Sequence, residues 1–172
     1  MKWVKLFVLG LMCLVPFASR AVAQDLKIAY VDIARLFDEY EKTKDYEKVL
    51  EEENTKFQDE RNQKIDKIRD LQSKLGVVKE ADKAKTEEEI EAMKNEILEF
   101  DRVKRTDLTK ARDEKVREIL LEIEKTVSDH AKKEGLTFVL NDRTMIYGAE
   151  NLNITEPILS TLNDSYKKQS KK

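Results

Sequence analysis

The side chains able to do chemistry in this 172-residue chain are plentiful in one type and scarce in the others: 35 Asp and Glu, one histidine (His130) and one cysteine (Cys13). General acid–base catalysis needs a titratable group held in a shaped pocket beside a partner. His130 falls near the end of a long charged stretch and reads as a surface or packing histidine. Clustered carboxylates could hold a hard cation, but a calcium loop needs a glycine at its sharp turn between spaced acids, and no glycine here occupies such a place. Cysteine-ligated zinc is excluded, and a lone cysteine forms no intramolecular disulfide. Asn153-Ile154-Thr155 satisfies the three-residue glycosylation pattern, yet Thr155 is better explained as the N-cap of the helix that follows. There is no glycine-rich phosphate loop. The expectation is a non-enzymatic protein with no catalytic residue, cofactor or metal.

The carboxylates sit instead in a stretch built to be helical. Between Pro16 and Pro157 there is no proline, and from Thr43 to Glu134 the only glycine is Gly76. Proline costs about 3 kcal/mol and glycine about 1 kcal/mol inside a helix, so this stretch predicts two long helices interrupted once. From Asp38 to Glu134 there are 29 acidic and 23 basic residues among 97, with no block of five like charges. Such mixing of signs favours solvated helix over a disordered tail. Acids stand four residues before bases at Glu52/Lys56, Glu60/Lys64, Asp70/Lys74, Asp101/Arg105 and Asp113/Arg117, each pair worth about 0.2 to 0.5 kcal/mol.

The apolar stripe of the first helix is thin: Val49, Leu50, Phe57, Ile65, Ile68, Leu71, Leu75. The returning helix has a better one, Ile90, Met93, Ile97, Phe100, Val103, Leu108, Ala111, thickening through Val116, Ile119, Leu120, Leu121, Ile123 and Val127. Residues spaced by threes and fours line one helix face. The two helices therefore read as an antiparallel hairpin with a buried base and an exposed tip near 76–82, where Asp82 would cap the second helix. An arm from Phe37 to Leu75 would be about 58 Å long at about 1.5 Å per residue. Lys132 and Lys133 followed by Gly135 end the returning helix.

Strand signals flank the arm. Leu26 to Asp32 is rich in β-branched and aromatic residues, and Ile33 to Tyr40 turns helical around Leu36 and Phe37. Leu136–Leu140 and Thr144–Tyr147 bracket Asn141-Asp142-Arg143, a turn-forming cluster that predicts a β-hairpin. Ile158, Leu159, Leu162 and Tyr166 form the apolar face of a last helix, and Lys167 to Lys172 make a basic tail. The strands at the two ends must meet to bury their apolar faces. The fold class expected is α+β, mostly helical, with a long antiparallel helical hairpin inserted in a small β-containing oligomerisation body. The body is residues 24–40 plus 112–172, and the arm is residues 41–111. Short strands leave sheet edges that proteins pair or cover, so the body is expected to oligomerise, with Ile28, Tyr30, Ile119, Ile123, Leu140 and Ile146 building it.

The first 23 residues differ from the rest. Lys2 and Lys5 precede an apolar run from Leu6 to Ala18, and Ala21-Val22-Ala23 ends it. This is the pattern of a cleaved secretory signal peptide. The run is too short to span a bilayer core, which needs about 20 residues. Removing Lys2, Lys5 and Arg20 leaves 30 basic against 35 acidic residues, a mature charge of −5. A mildly acidic chain argues against nucleic-acid partners and against attraction to lipopolysaccharide or a membrane surface. The clusters Arg102/Lys104/Arg105 and Lys167–Lys172 read as a solvated face and tail.

The order of parts resembles the Skp/OmpH periplasmic chaperones of Gram-negative bacteria: signal peptide, Lys27-Ile28-Ala29-Tyr30-Val31-Asp32 strand with the helix ending Leu36-Phe37, charged hairpin, Phe138-Val139-Leu140 strand, and the closing Asn153-Ile154-Thr155 helix. That resemblance covers the whole mature chain. It implies a homotrimer with a β-barrel-like body and three helical arms, acting without ATP as a periplasmic holdase for unfolded outer-membrane proteins. On that reading Phe57, Ile65, Met93, Ile97 and Phe100 are candidate client contacts along the arm. The alternative from the residues themselves is a structural coiled-coil protein of the envelope without chaperone activity, although a rod wants sustained heptads and no strand-built body.

Overall fold

A computed structural model describes residues 26–171; the signal-peptide reading over residues 1–23 lies outside them. Strand β1 (Ile28–Val31) leads into helix α1 (Ile33–Glu39), followed by the two long helices α2 (Glu41–Leu75) and α3 (Glu80–Glu134). Strand β2 (Phe138–Asn141), two 3₁₀ turns and helix α4 (Thr155–Ser170) complete the chain. At about 1.5 Å per residue, α2 is about 52 Å long and α3 about 82 Å.

The long run without breakers does form helix, but it is divided by tertiary contacts as well as by glycine. Tyr40 adopts an extended conformation (φ −64°, ψ 125°) and separates α1 from α2 with no proline or glycine nearby. Its buried ring sets the break, packing edge-on against Tyr166 with centroids 6.0 Å apart while its hydroxyl donates to Glu122 at 3.3 Å. Asn163 Oδ1 on α4 accepts the freed Glu41 N–H at 2.9 Å, so α2 is capped from another helix. Helix α2 consequently begins at Glu41 rather than as a continuation from Phe37.

Gly76 ends α2 in an ordinary right-handed conformation (φ −71°, ψ −15°). Asp82 lies inside the first turn of α3, and Lys79 occupies the cap position with no side-chain cap bond, so the expected Asp82 cap is displaced by one turn of helix that starts earlier. At the other end Gly135 is left-handed (φ 66°), with Leu136 N–H reaching back to the Ala131 carbonyl at 2.9 Å, the closure a helix-ending glycine permits.

The two terminal strands meet, but in parallel. β1 pairs with β2 in the register Ile28↔Phe138 to Val31↔Asn141, with the whole hairpin as the crossover. The expected β-hairpin between Leu136–Leu140 and Thr144–Tyr147 does not form. After β2 the chain enters a 3₁₀ turn at Asp142–Thr144, capped by the Asn141 side chain, and carries Met145–Tyr147 away. Asn141-Asp142-Arg143 does form a turn; partner choice is a long-range matter that these residues do not encode. Gly148 then passes so close to Tyr30 that a Cβ there would lie 2.7 Å from its ring. Asn153 bridges to Tyr30, and Ile154 N–H donates to the Tyr30 carbonyl at 2.9 Å.

The core lies under this sheet. Val31, Leu36, Tyr40, Ile119, Ile123, Ile158, Leu159 and Leu162 form one buried cluster, which includes no residue of α2 and none of α3 before Ile119. Thr155 was expected as an N-cap. It sits instead inside the first turn of α4, fully buried, and its hydroxyl accepts the Asp32 N–H at 2.9 Å, tying the start of α4 to the start of α1. Asn153 Oδ1 supplies the local cap by accepting Thr155 N–H.

Candidate functional site

The hairpin of α2 and α3 is held by cross-helix ties at two levels. At its base Lys42 Nζ donates to Glu118 at 2.7 Å and Glu122 at 2.8 Å. Burial pulls the Lys42 ammonium down, but the two carboxylates outweigh it and hold the group above its ordinary range. Glu118, bonded by Lys115 and Lys42, is pushed down to about 2. Tyr40 beside them is pushed up to about 12, by burial first and by the Glu122 charge second.

Midway along the arm Phe57 packs on Phe100 with centroids 5.6 Å apart and planes tilted by 34°. Lys64 and Lys104 place their ammonium groups 5.2 and 5.8 Å from the Phe100 centroid. Arg61 bridges to Asp101 at 3.0 Å, and Lys64 to Glu96. None of the five i,i+4 pairs expected from spacing closes; Asp101, for one, takes Arg61 across the hairpin instead of Arg105 on its own helix. A pair at the half-buried seam is screened less than one on the solvent face, which decides the choice. Towards the tip, Ile68 and Ile90 are buried in the seam.

The candidate contact residues are therefore unequal. Phe57 is 4% exposed and faces α3, so in the closed hairpin it offers no surface; any part it plays in capture goes through the seam. Ile65, Met93, Ile97 and Phe100 are half-buried along the same seam. Val49, expected in the stripe of the first helix, lies outside the seam and is exposed, because it stands one residue before Leu50 on the helix; Leu98, one residue past Ile97, is exposed for the same reason.

In the body, Ile119 and Ile123 are fully buried in the chain's own core and serve its internal packing rather than an open face. Tyr30 is half-buried under Gly148. Ile28 and Leu140 are exposed on the paired strands, and Ile146 is 107% exposed. Phe138 and Tyr147, absent from the sequence-derived set, are exposed beside them. For Phe138 the available signal was its alternation with half-buried Val139; Tyr147, next to the equally exposed Ile146, has none.

Among the described residues no group of three or more His, Cys, Asp or Glu could hold a metal ion, and no helix is long and apolar enough to cross a membrane. What the arrangement offers is surface and reach. Residues 27–162 match the profile of the Outer membrane protein (OmpH-like) family. The chain belongs to that family. A crystal structure of an OmpH-like protein from Caulobacter crescentus, provisionally designated an outer membrane chaperone, is similar with a TM-score of 0.68 at 9% identity, covering 81% of this chain and 85% of that one. At that identity the likeness speaks for the fold. No curated protein matches the sequence. The OmpH-like fold of long helices on a small β-containing body is the architecture seen here.

Proposed function

We propose that this OmpH-like protein is an ATP-independent periplasmic holdase that keeps unfolded outer-membrane proteins from aggregating, held between helical arms projecting from an oligomeric body. The observation that carries this reading is the pairing of a long, thinly seamed, highly charged hairpin with a body that exposes Ile28, Phe138 and Leu140 on its sheet and Ile146 and Tyr147 on the segment that follows it. A two-stranded sheet is marginal alone, and exposed apolar residues on and next to its strands mark a contact surface. Copies joined there would set several arms around one space. Unfolded barrel strands expose apolar residues and unpaired edges, and many weak contacts with such arms would retain them by avidity. The resemblance to Skp-type chaperones favours three copies.

Two measurements test this. Light scattering on the mature chain should give about three times its mass, and Ile146→Asp should lower that mass without loss of helix content; a monomeric wild type at micromolar concentration would overturn the body as an assembly surface. Mass spectrometry of the exported protein should find Gln24 at the N-terminus. Acidic composition gives no basis for lipopolysaccharide or membrane-surface binding, and neither is proposed.

A further inference from the structure

The cross-helix ties leave a gap between them. Lys42–Glu118/Glu122 closes the base and Arg61–Asp101 the middle, and no ion pair joins α2 to α3 in the stretch between. In that stretch two clefts open, both bordered by Leu108. One, of about 420 Å³, is lined by Leu50 and Asn54 and rimmed by Glu47, Glu51 and Arg112. The other, of about 290 Å³, adjoins Phe57 and is rimmed by Glu53, Lys104 and Asp107 among others. Together the rims carry five carboxylates against three cations, and none of these eight charges takes part in an ion pair. Elsewhere on the arm acids and bases do pair, as at Lys64–Glu96, Arg69–Asp66 and Arg102–Glu99.

An apolar floor with a rim of unpaired, predominantly negative charge is a recognition surface of definite chemistry. We propose that this unbridged window of the hairpin binds extended polypeptide segments whose apolar side chains are flanked by lysine or arginine. An extended chain turns alternate side chains to one side, so apolar residues would enter the clefts beside Leu50 and Leu108 while neighbouring cations meet Glu47, Glu51, Glu53 and Asp107. The two clefts sharing Leu108 would take side chains from one segment laid across the seam. This deepens the holdase reading and rests on it.

The test uses the full mature protein and two dye-labelled peptides of alternating leucine and threonine, one ended by lysines and one by glutamates, followed by fluorescence anisotropy. The lysine peptide should bind at least about threefold tighter at low ionic strength, and the difference should shrink as salt shortens the screening length. Leu108→Asn should weaken both peptides, whereas Leu98→Asn, outside the window, should change neither. Because Leu108→Asn could disturb the seam, the double variant Glu47→Lys/Glu51→Lys, at two exposed positions, provides an independent arm and should reverse the preference. Equal binding of the two peptides, or a preference untouched by that reversal, overturns the proposal. If the wild type nevertheless suppresses aggregation of an unfolded barrel protein, only the window is wrong; if it does not, the holdase reading fails as well.

Discussion

Gly76 and Gly135 look alike in sequence, since each ends a long helix, but their backbones differ. Gly76 is right-handed, and a Cβ there would meet only the Ser73 carbonyl oxygen at 3.8 Å, an ordinary contact. Gly76→Ala should be neutral or stabilising by about 0.5 kcal/mol, because alanine restricts the unfolded chain at no cost to the folded one. Gly135 is left-handed, so Gly135→Ala should destabilise by about 1 kcal/mol or more. Urea unfolding of the two variants separates these outcomes. At the base of the arm, Glu118 has a folded-state pKa depressed to about 2 from an ordinary 4.5, chiefly by hydrogen bonds from Lys115 and Lys42. A depressed carboxylate contributes stability that is full above its unfolded pKa and lost as pH falls through its folded one. Its contribution should therefore decline between about pH 4.5 and pH 2, and Glu118→Gln should flatten that part of the stability profile in denaturation at stepped pH. Half-exposed as this carboxylate is, screening will keep the effect modest. The spacing of Glu118 after Lys115 and Glu114 gives no hint of this role, because Lys42 arrives from a helix 76 residues earlier.

At the scale of elements, the long helices and their antiparallel pairing are legible in the sequence, whereas the break that divides α1 from α2 is not. Absence of proline and glycine, rising apolar density towards Val127, and the Lys132-Lys133-Gly135 ending define α3 from local rules alone. The break at Tyr40 depends on Tyr166 and Asn163, more than 120 residues away, so no local signal could place it. The meeting of β2 with a strand about 110 residues upstream follows from the need of both to bury their apolar faces, but that Thr144–Tyr147 stays unpaired beside β2 carries no local signal. Loop closure across so long an insertion costs little more than across a short one, since the entropy grows only with the logarithm of length. The candidate arm contacts were legible as an apolar stripe, but whether a stripe residue faces its partner helix or solvent turns on seam geometry. Phe57 shows the consequence: it reads as a contact and is buried against Phe100. Phe57→Ala should cost about 3 kcal/mol locally. Amide hydrogen exchange should then report faster opening of α2 and α3 from residue 57 to the tip, with residues 116–127 of α3 unchanged. A uniform loss of protection over the body would show that arm and body do not open separately.

Over the whole molecule, the charge that fills the hairpin has two uses. Within the described residues it fastens α2 to α3 at the base and the middle, and along the rest it keeps a long, sparsely packed element hydrated. A small core beneath a two-stranded sheet carries a lever much longer than itself. Such a design is poor for enclosing a reacting centre and well suited to surrounding something large. Residues 27–162 place the chain in the OmpH-like family, and the exposed rim of the sheet is where copies would join in the assembly proposed above. In the proposed role the arms hold unfolded chains without an energy source. Its most direct test is dilution of a urea-unfolded outer-membrane barrel protein into buffer with the purified mature protein at several-fold excess and no nucleotide, followed by light scattering. Aggregation should be suppressed, with the client bound and soluble; aggregation at the rate seen in buffer alone would rule out passive holding by the arms.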